Sequence, residues 1–233
     1  MASRSSIEDG PSAADGAVAS DKLAAAVTVR AYADADREAW DRFVESECAE
    51  ATFFHLSGWE RVLREAFGHR CHYLLAERGG RIVGVLPLAE VKSLLFGHSL
   101  ISTPFCVYGG VASLDEEART SLTDAACALA ESLRVEYLEL RQLAPHQPSW
   151  PTKDLYVTFR RAIEQDDEAN LKAIPRKQRA MVRKGIKAGL TPHVDGDLDA
   201  LYECYGESVR NLGTPVFSKR YLELLQREFG EER

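Results

Sequence analysis

Long apolar runs are missing from this 233-residue chain. No stretch of about 18 hydrophobic residues occurs, so no segment reads as a membrane span. No continuous apolar segment follows the N-terminus either, which excludes a secretory signal there. The first 26 residues are rich in Ala, Ser, Asp and Gly and carry no aromatic residue. They are expected to form a disordered tail. Cysteine is sparse and odd in number, with Cys48, Cys71, Cys106, Cys127 and Cys204 scattered along the chain. That pattern excludes a disulfide framework and points to reduced thiols in a cytoplasmic protein, each filling the core as a small apolar residue. No internal repeat is found. There is no G-x-S-x-G elbow and no Ser-His-Asp or Cys-His arrangement, so nucleophilic hydrolysis has no visible machinery. His69 and His72 bracket Arg-Cys, but a strand start sends them to opposite faces and no two further ligands are in sight, so no metal is expected.

Acidic residues are absent from one segment in particular. Ile174–Leu190, IPRKQRAMVRKGIKAGL, carries Arg176, Lys177, Arg179, Arg183, Lys184 and Lys187. The whole chain has a formal charge of −7, and without those six cations it would stand at −13. Folding does not require such contrast, and it marks either a solvated face or a docking site for an anion. The segment predicts a helix, opened by Pro175 and stopped by Gly189. Arg176, Arg179, Arg183 and Lys187 recur at spacings that share one face, which Lys177 and Lys184 widen. Met181, Val182 and Ile186 fall mostly on the other side.

Periodicity predicts the remaining elements. Val27–Arg30 reads as a strand, 36–47 as a helix, and 58–67 as a second helix capped by Ser57. Strands are expected over 72–77, 81–91 and 99–103, with a hairpin at Gly79-Gly80. A capping-box pattern at Ser113-Leu-Asp-Glu116 opens a long helix to about Leu133. A strand at 135–141 and a loop at 146–150 follow. Residues 154–163 alternate Leu155, Val157 and Phe159 as a half-buried strand does. Helices are expected at 167–173, 175–188, 198–211 and 219–229, with a lone strand at 191–194. The fold class is α/β with a mixed sheet and helices on both sides. The division is a tail over 1–26, a first domain over 27–163 and a helical block over 164–233. Tyr202, Tyr205, Val216, Phe217, Leu222 and Leu225 in that block need a covering surface, supplied by the first domain or a second copy unless the block stays poorly ordered.

The β-α-α-β-β-β-α-β order resembles the GNAT acyltransferase core. FFHLSGWERVL (Phe53–Leu63), the basic Ile174–Leu190 stretch and NLGTPVFSKRYLELL (Asn211–Leu225) resemble the FemAB-like transferases, which place two GNAT-like domains in tandem. PFCVYGGV (Pro104–Val111) and LYVTFRR (Leu155–Arg161) bring the chain nearest to the FemAB-like proteins of PEP-CTERM/exosortase systems. The resemblance implies an acyl- or aminoacyltransferase acting on a cell-envelope or exopolysaccharide precursor. It also implies that the chain stops inside the second domain, that the donor site lies in a sheet absent here, and that this chain alone is inactive. Acyl-CoA or aminoacyl-tRNA would be the donor substrate, with no resident cofactor. The acceptor in better-understood relatives is a nucleotide-linked peptidoglycan precursor. Those relatives tend to have Lys where Leu63 stands here, and the coiled-coil arm of some members is missing.

The usual GNAT pyrophosphate site needs free amides at a helix N-terminus. Here Cys106–Val111 has two glycines without the R/Q-x-x-G-x-G/A pattern, and Asp115, Glu116 and Glu117 would repel a pyrophosphate. Acyl-CoA binding there is therefore not expected. His55, His69, His72, His98 and Glu139 are candidate bases, but none sits in a motif and the catalytic residue stays unassigned. Arg179, Arg183 and Lys177 are read as contacts for an anionic substrate, with Tyr108 and His55 lining a cleft. Arg220 joins them through the resemblance, at the lip of a cleft between the two domains. The partners expected are an anionic or nucleotide-linked small molecule, tRNA, and a second copy docked through the exposed helices. Stable membrane insertion is not expected. The competing readings are a nucleic-acid-binding module using the basic helix and a non-catalytic envelope-assembly partner.

Overall fold

The computed structural model describes residues 25–93, 95, 97–153, 155, 157–191 and 196–230. The tail up to residue 24 lies outside them, as does the expected strand at 191–194 except for Thr191.

The first strand, β1 (Thr28–Ala31), leads into helix α1 (Arg37–Arg42), which continues as a wider turn over Phe43–Glu47. Helix α2 (Gly58–Phe67) follows. Ser57 stands at its N-cap, but its hydroxyl makes no cap bond and donates to Asp41 instead. Strands β2 (Arg70–Cys71), β3 (Leu74–Arg78), β4 (Arg81–Leu86), β5 (Leu88–Ser93), β6 (Gly97–Ser102) and β7 (Ala112–Ser113) come next. Helix α3 (Glu116–Leu133) and strand β8 (Tyr137–Glu139) complete the α/β part. Gly79 and Gly80 both have positive φ, as a tight β3–β4 hairpin requires.

Two sheets form, ordered β1-β3-β4-β7 and β2-β5-β6-β8. All pairs are antiparallel except β6–β8. The single strand expected over 81–91 is broken at Pro87, which has no N–H for a ladder. Leu86 ends a strand of one sheet and Leu88 begins a strand of the other. Alternation along the strands then feeds two cores. Leu75 and Val85, paired across β3–β4, pack with Trp40, Phe43, Trp59 and Val62 from the α1–α2 side. Ala76, Leu86, Leu88 and Leu100 pack against Ala118, Leu122 and Ala126 of α3. Helices therefore cover both faces, and the α/β class holds.

The second half contains α4 (Asp167–Ala173), α5 (Arg176–Lys187), α6 (Leu198–Asn211) and α7 (Lys219–Phe229). Of the strand expected over 154–163, the described residues 155 and 157–163 are not in a strand. No described strand pairs with them, and Leu155, Val157, Phe159 and Ile163 are all exposed. Two compact units result. One runs to Pro145 and resumes at Val209, and the other spans His146–Ser208. The reading that grouped 164–233 together differs from this division because α7 packs on α2. Leu224 is buried there, and Phe229 lies against Phe53 and Trp59. Glu228 is buried among Arg37, Arg61 and Arg227 at 3.0–3.2 Å.

Candidate functional site

Helix α5 is built as its composition dictates. Pro175, at φ −53° and ψ 144°, occupies the N-cap. At the other end Gly189 takes a φ of +70°. The Gly189 amide donates to Ile186 and the Leu190 amide donates back to Gly185. This double closure needs a residue free to adopt positive φ. Leu190 folds against Gly185 as a result. Along the helix, Arg176, Arg179, Ala180, Arg183, Lys184 and Lys187 line an open groove of about 650 Å³. Arg176, Arg183, Lys184 and Lys187 form no side-chain hydrogen bond or ion pair with another described residue. Four cations thus face one concavity without an internal counter-charge, which is what a phosphate-bearing ligand needs.

The other expected contacts fare differently. Arg179 lines the groove, but its guanidinium donates to the carbonyls of Lys172 at 2.6 Å and Ile174 at 3.0 Å. It closes the C-terminus of α4, as a cation there does. Lys177 is exposed and lies outside the groove lining. Arg220 belongs to the first unit, where its guanidinium meets Glu65 of α2.

In the first unit, loop 103–111 is held by packing. Gly110 donates its N–H to the Arg141 carbonyl at 3.0 Å and accepts from His55 Nε2 at 3.0 Å. A Cβ on Gly110 would collide with the Gln142 side chain, and one on Gly109, at φ +140°, with Thr103. These glycines serve close packing, and the Gly110 amide is already used. His55 is buried, with Nδ1 accepting from the Thr52 amide at 3.0 Å. Both its nitrogens are therefore engaged, and burial pushes its pKa down. It pins the loop and does not face solvent. Tyr108 is half-buried and packs edge-on to Phe54.

The N-terminus of α3 is also closed. Its N-cap is Asp115 and not Ser113, the cap that the capping-box pattern predicts, which lies two residues earlier in β7. Asp115 accepts from the Ala118 amide at 2.9 Å and from Arg78 at 2.6 Å. The Arg78 guanidinium and that amide hold the Asp115 carboxyl below its usual range. Arg78 also pairs with Glu117, and Glu116 with Arg119.

Among the candidate bases, His69 stacks against Phe67 and Phe105. Glu139 accepts from Arg141, which in turn donates to the Cys106 carbonyl. His72 and His98 meet on Glu90, at 3.3 Å and 2.8 Å through their Nε2 atoms. Sequence reasoning missed Glu90, because residues 18 and 8 positions apart meet only through strand pairing. Burial drives the Cys71 and Cys106 thiols up to about 12, so neither is a thiolate nucleophile at neutral pH. Cys204 is exposed and does not fill a core. No cluster of three or more His, Cys, Asp or Glu that could hold a metal occurs among the described residues. No described helix is long and apolar enough to cross a membrane.

No family model matches the sequence, and no curated protein matches it. Among solved structures the chain is similar to FemX, with a TM-score of 0.54 and 16% identity over 88% of this chain and 55% of that one. A GNAT family acetyltransferase from Staphylococcus aureus aligns with 60% of this chain and 98% of its own, at TM-score 0.36 and 10% identity. A ribosomal-protein-alanine N-acetyltransferase from Brucella melitensis aligns with 59% of this chain and 99% of its own, at TM-score 0.40 and 15% identity. At these identities the finding is one of fold, and the likeness to FemX carries it. This chain spans about half the length of FemX.

Proposed function

We propose that this chain belongs to an acyl- or aminoacyltransferase whose acceptor is a phosphate-bearing cell-envelope or exopolysaccharide precursor. The observation that carries the reading is the groove of unpaired cations on α5, set in a chain with a FemX-like fold. Arg176, Arg183, Lys184 and Lys187 bind the acceptor's phosphates. Arg179 contributes by fixing α4 against α5, and Arg183 supplies a paired-donor guanidinium. Transfer proceeds by attack of the acceptor amine or hydroxyl on the donor carbonyl. The acceptor loses its proton, and the donor's thiol or ribose hydroxyl leaves. The donor, acyl-CoA or aminoacyl-tRNA, is held away from the α3 N-terminus, where Asp115 already takes an amide and two more carboxylates stand. By resemblance, the donor belongs to the second domain's sheet and PEP-CTERM/exosortase systems are the setting, while the scattered, odd-numbered cysteines favour the cytoplasm.

Calorimetric titration with a nucleotide-diphosphate sugar tests this. Arg183→Glu with Lys187→Glu should weaken binding at least about tenfold, since each close charge contributes on the order of 1 kcal/mol. Far-UV circular dichroism should not change. Equal affinity in wild type and variant overturns the assignment. Tight tRNA binding without sugar-nucleotide binding would favour the nucleic-acid module instead.

A further inference from the structure

Three side chains meet on the second sheet of the first unit. Glu90 stands on β5, His98 on β6 and His72 directly after β2, and the pairing of these strands brings them together. His98 Nε2 lies 2.8 Å from one Glu90 oxygen, and His72 Nε2 lies 3.3 Å from the other. The Glu90, His72 and His98 side chains are only 14%, 14% and 19% exposed. An ionised carboxylate only accepts, so each imidazole donates to it through Nε2–H. The group closes a short joint. Strand β2 has two residues, which pair with β5 at Arg70–Glu90 and Cys71–Ala89. Just beyond it the His72 amide donates to the Leu88 carbonyl at 2.7 Å. This joint ties the chain leaving α2 to the second sheet.

We infer that His72, Glu90 and His98 form a pH-sensitive clasp, which tightens the joint between α2 and the second sheet as the solution becomes mildly acidic. Neutral imidazole already donates through Nε2–H, but a bond from a charged imidazole is roughly twice as strong. Imidazole takes up its proton at about pH 6.5, so the gain falls in the range a cell can reach. A proton bound more tightly by the closed clasp favours closure as pH falls. Glu90 keeps its charge meanwhile. Burial alone would push its carboxyl up, but the bonds from His72 and His98 outweigh that and hold it below its usual value. The clasp is lost only when pH drops through that lowered value. Other charges border the group. Arg70 is the cross-strand partner of Glu90, and Lys92 that of His98. Glu136, ahead of β8, accepts from the His98 amide at 3.2 Å and offsets part of their repulsion. From α3 the same core receives only apolar Leu129, Ala130 and Leu133 near Leu88 and Leu100. Glu60 and Arg64 of α2 act on Cys71, which alternation sends to the opposite face of β2. The clasp is independent of the transferase reading.

Amide hydrogen exchange of the full chain, followed by NMR at pH 7.5 and 5.5 with intrinsic rates divided out, tests the inference. Protection of the His72 amide should rise at least about tenfold at the lower pH, because two bonds gain charge assistance. Amides of β3 and β4 in the first sheet should change much less. Glu90→Gln should remove the rise at His72. His98→Gln keeps a side-chain donor but no charge, and should leave about threefold of it. Equal protection of the His72 amide at the two pH values in wild type overturns the inference. So does a rise that persists in full in Glu90→Gln, which would make the carboxylate a packing group only. An equal rise across β3 and β4 would place the effect on the whole unit and also overturn it. Should Glu90→Gln lose its far-UV circular dichroism, the wild-type series and His98→Gln still decide.

Discussion

The two compact units are made by the same chain from similar helical periodicities, yet among the described residues only the first has a core. In the first, Trp40, Leu63, Leu75, Leu86 and Leu122 are wholly shielded from water. In His146–Ser208 the apolar residues are arranged just as periodically, and Val157, Phe159, Met181 and Ile186 remain in solvent. Pattern alone therefore does not bury a side chain. An amphipathic helix gains its stability from the surface it packs against, and α4 and α5 find little of one. The polar residues differ in the same way. Arginines of the first unit are consumed by Glu228, Asp115 and Glu139. Those of α5, Arg179 excepted, are left for something outside the unit.

The contrast breaks most visibly where the core is densest. Trp40 is fully buried, stacks on Tyr73 at 5.4 Å and donates its indole N–H to the His55 carbonyl at 2.7 Å. Trp40→Ala should cost about 3–5 kcal/mol, read as a fall in the urea midpoint. A loss below about 1 kcal/mol would mean that the first unit is not held by this core.

Glu228 should come next. Burial by itself would raise its pKa, but Arg37, Arg61 and Arg227 outweigh that and hold the carboxylate below its usual value. A carboxylate depressed in the folded state stabilises above its unfolded pKa, near 4.3, and loses that contribution as pH falls through the folded value. Glu228→Gln should reduce stability by roughly 1–3 kcal/mol at pH 7 and by much less at acid pH, with the midpoint measured at both. Equal destabilisation at the two pH values would make the effect one of packing and not of charge.

The same distinction explains what could be read from the residues in order. Most helices were legible, because Trp40, Trp59 and Leu63 or the cations of α5 recur at local spacings. The hairpin at Gly79-Gly80 and the stop at Gly189 were legible for the same local reason. The break at Pro87 was overlooked although the residue was visible, since an apolar run continues on both sides of it. The strand expected at 154–163 does not form at the described residues 155 and 157–163, because alternation specifies a face but supplies no partner. Of the candidate site, the cation stripe was readable by counting. That Arg179 would be drawn to the end of α4 depends on the turn at Ile174-Pro175. That Gly110 would spend both polar groups on His55 and Arg141 depends on contacts 55 and 31 residues away, and no local pattern encodes them.

The smallest expected effect probes the comparison from its other side. Ile186→Ala removes the same kind of side chain as Leu122→Ala, but from a position 68% exposed instead of one fully shielded. Leu122→Ala should lose about 2–5 kcal/mol, through lost transfer energy and a cavity beneath α3. Ile186→Ala should stay within about 0.5 kcal/mol, because water already surrounds the methyl groups and alanine favours the helix. Both are measured in the same denaturation series. A penalty at Ile186 approaching that at Leu122 would require another surface to cover α5 in solution.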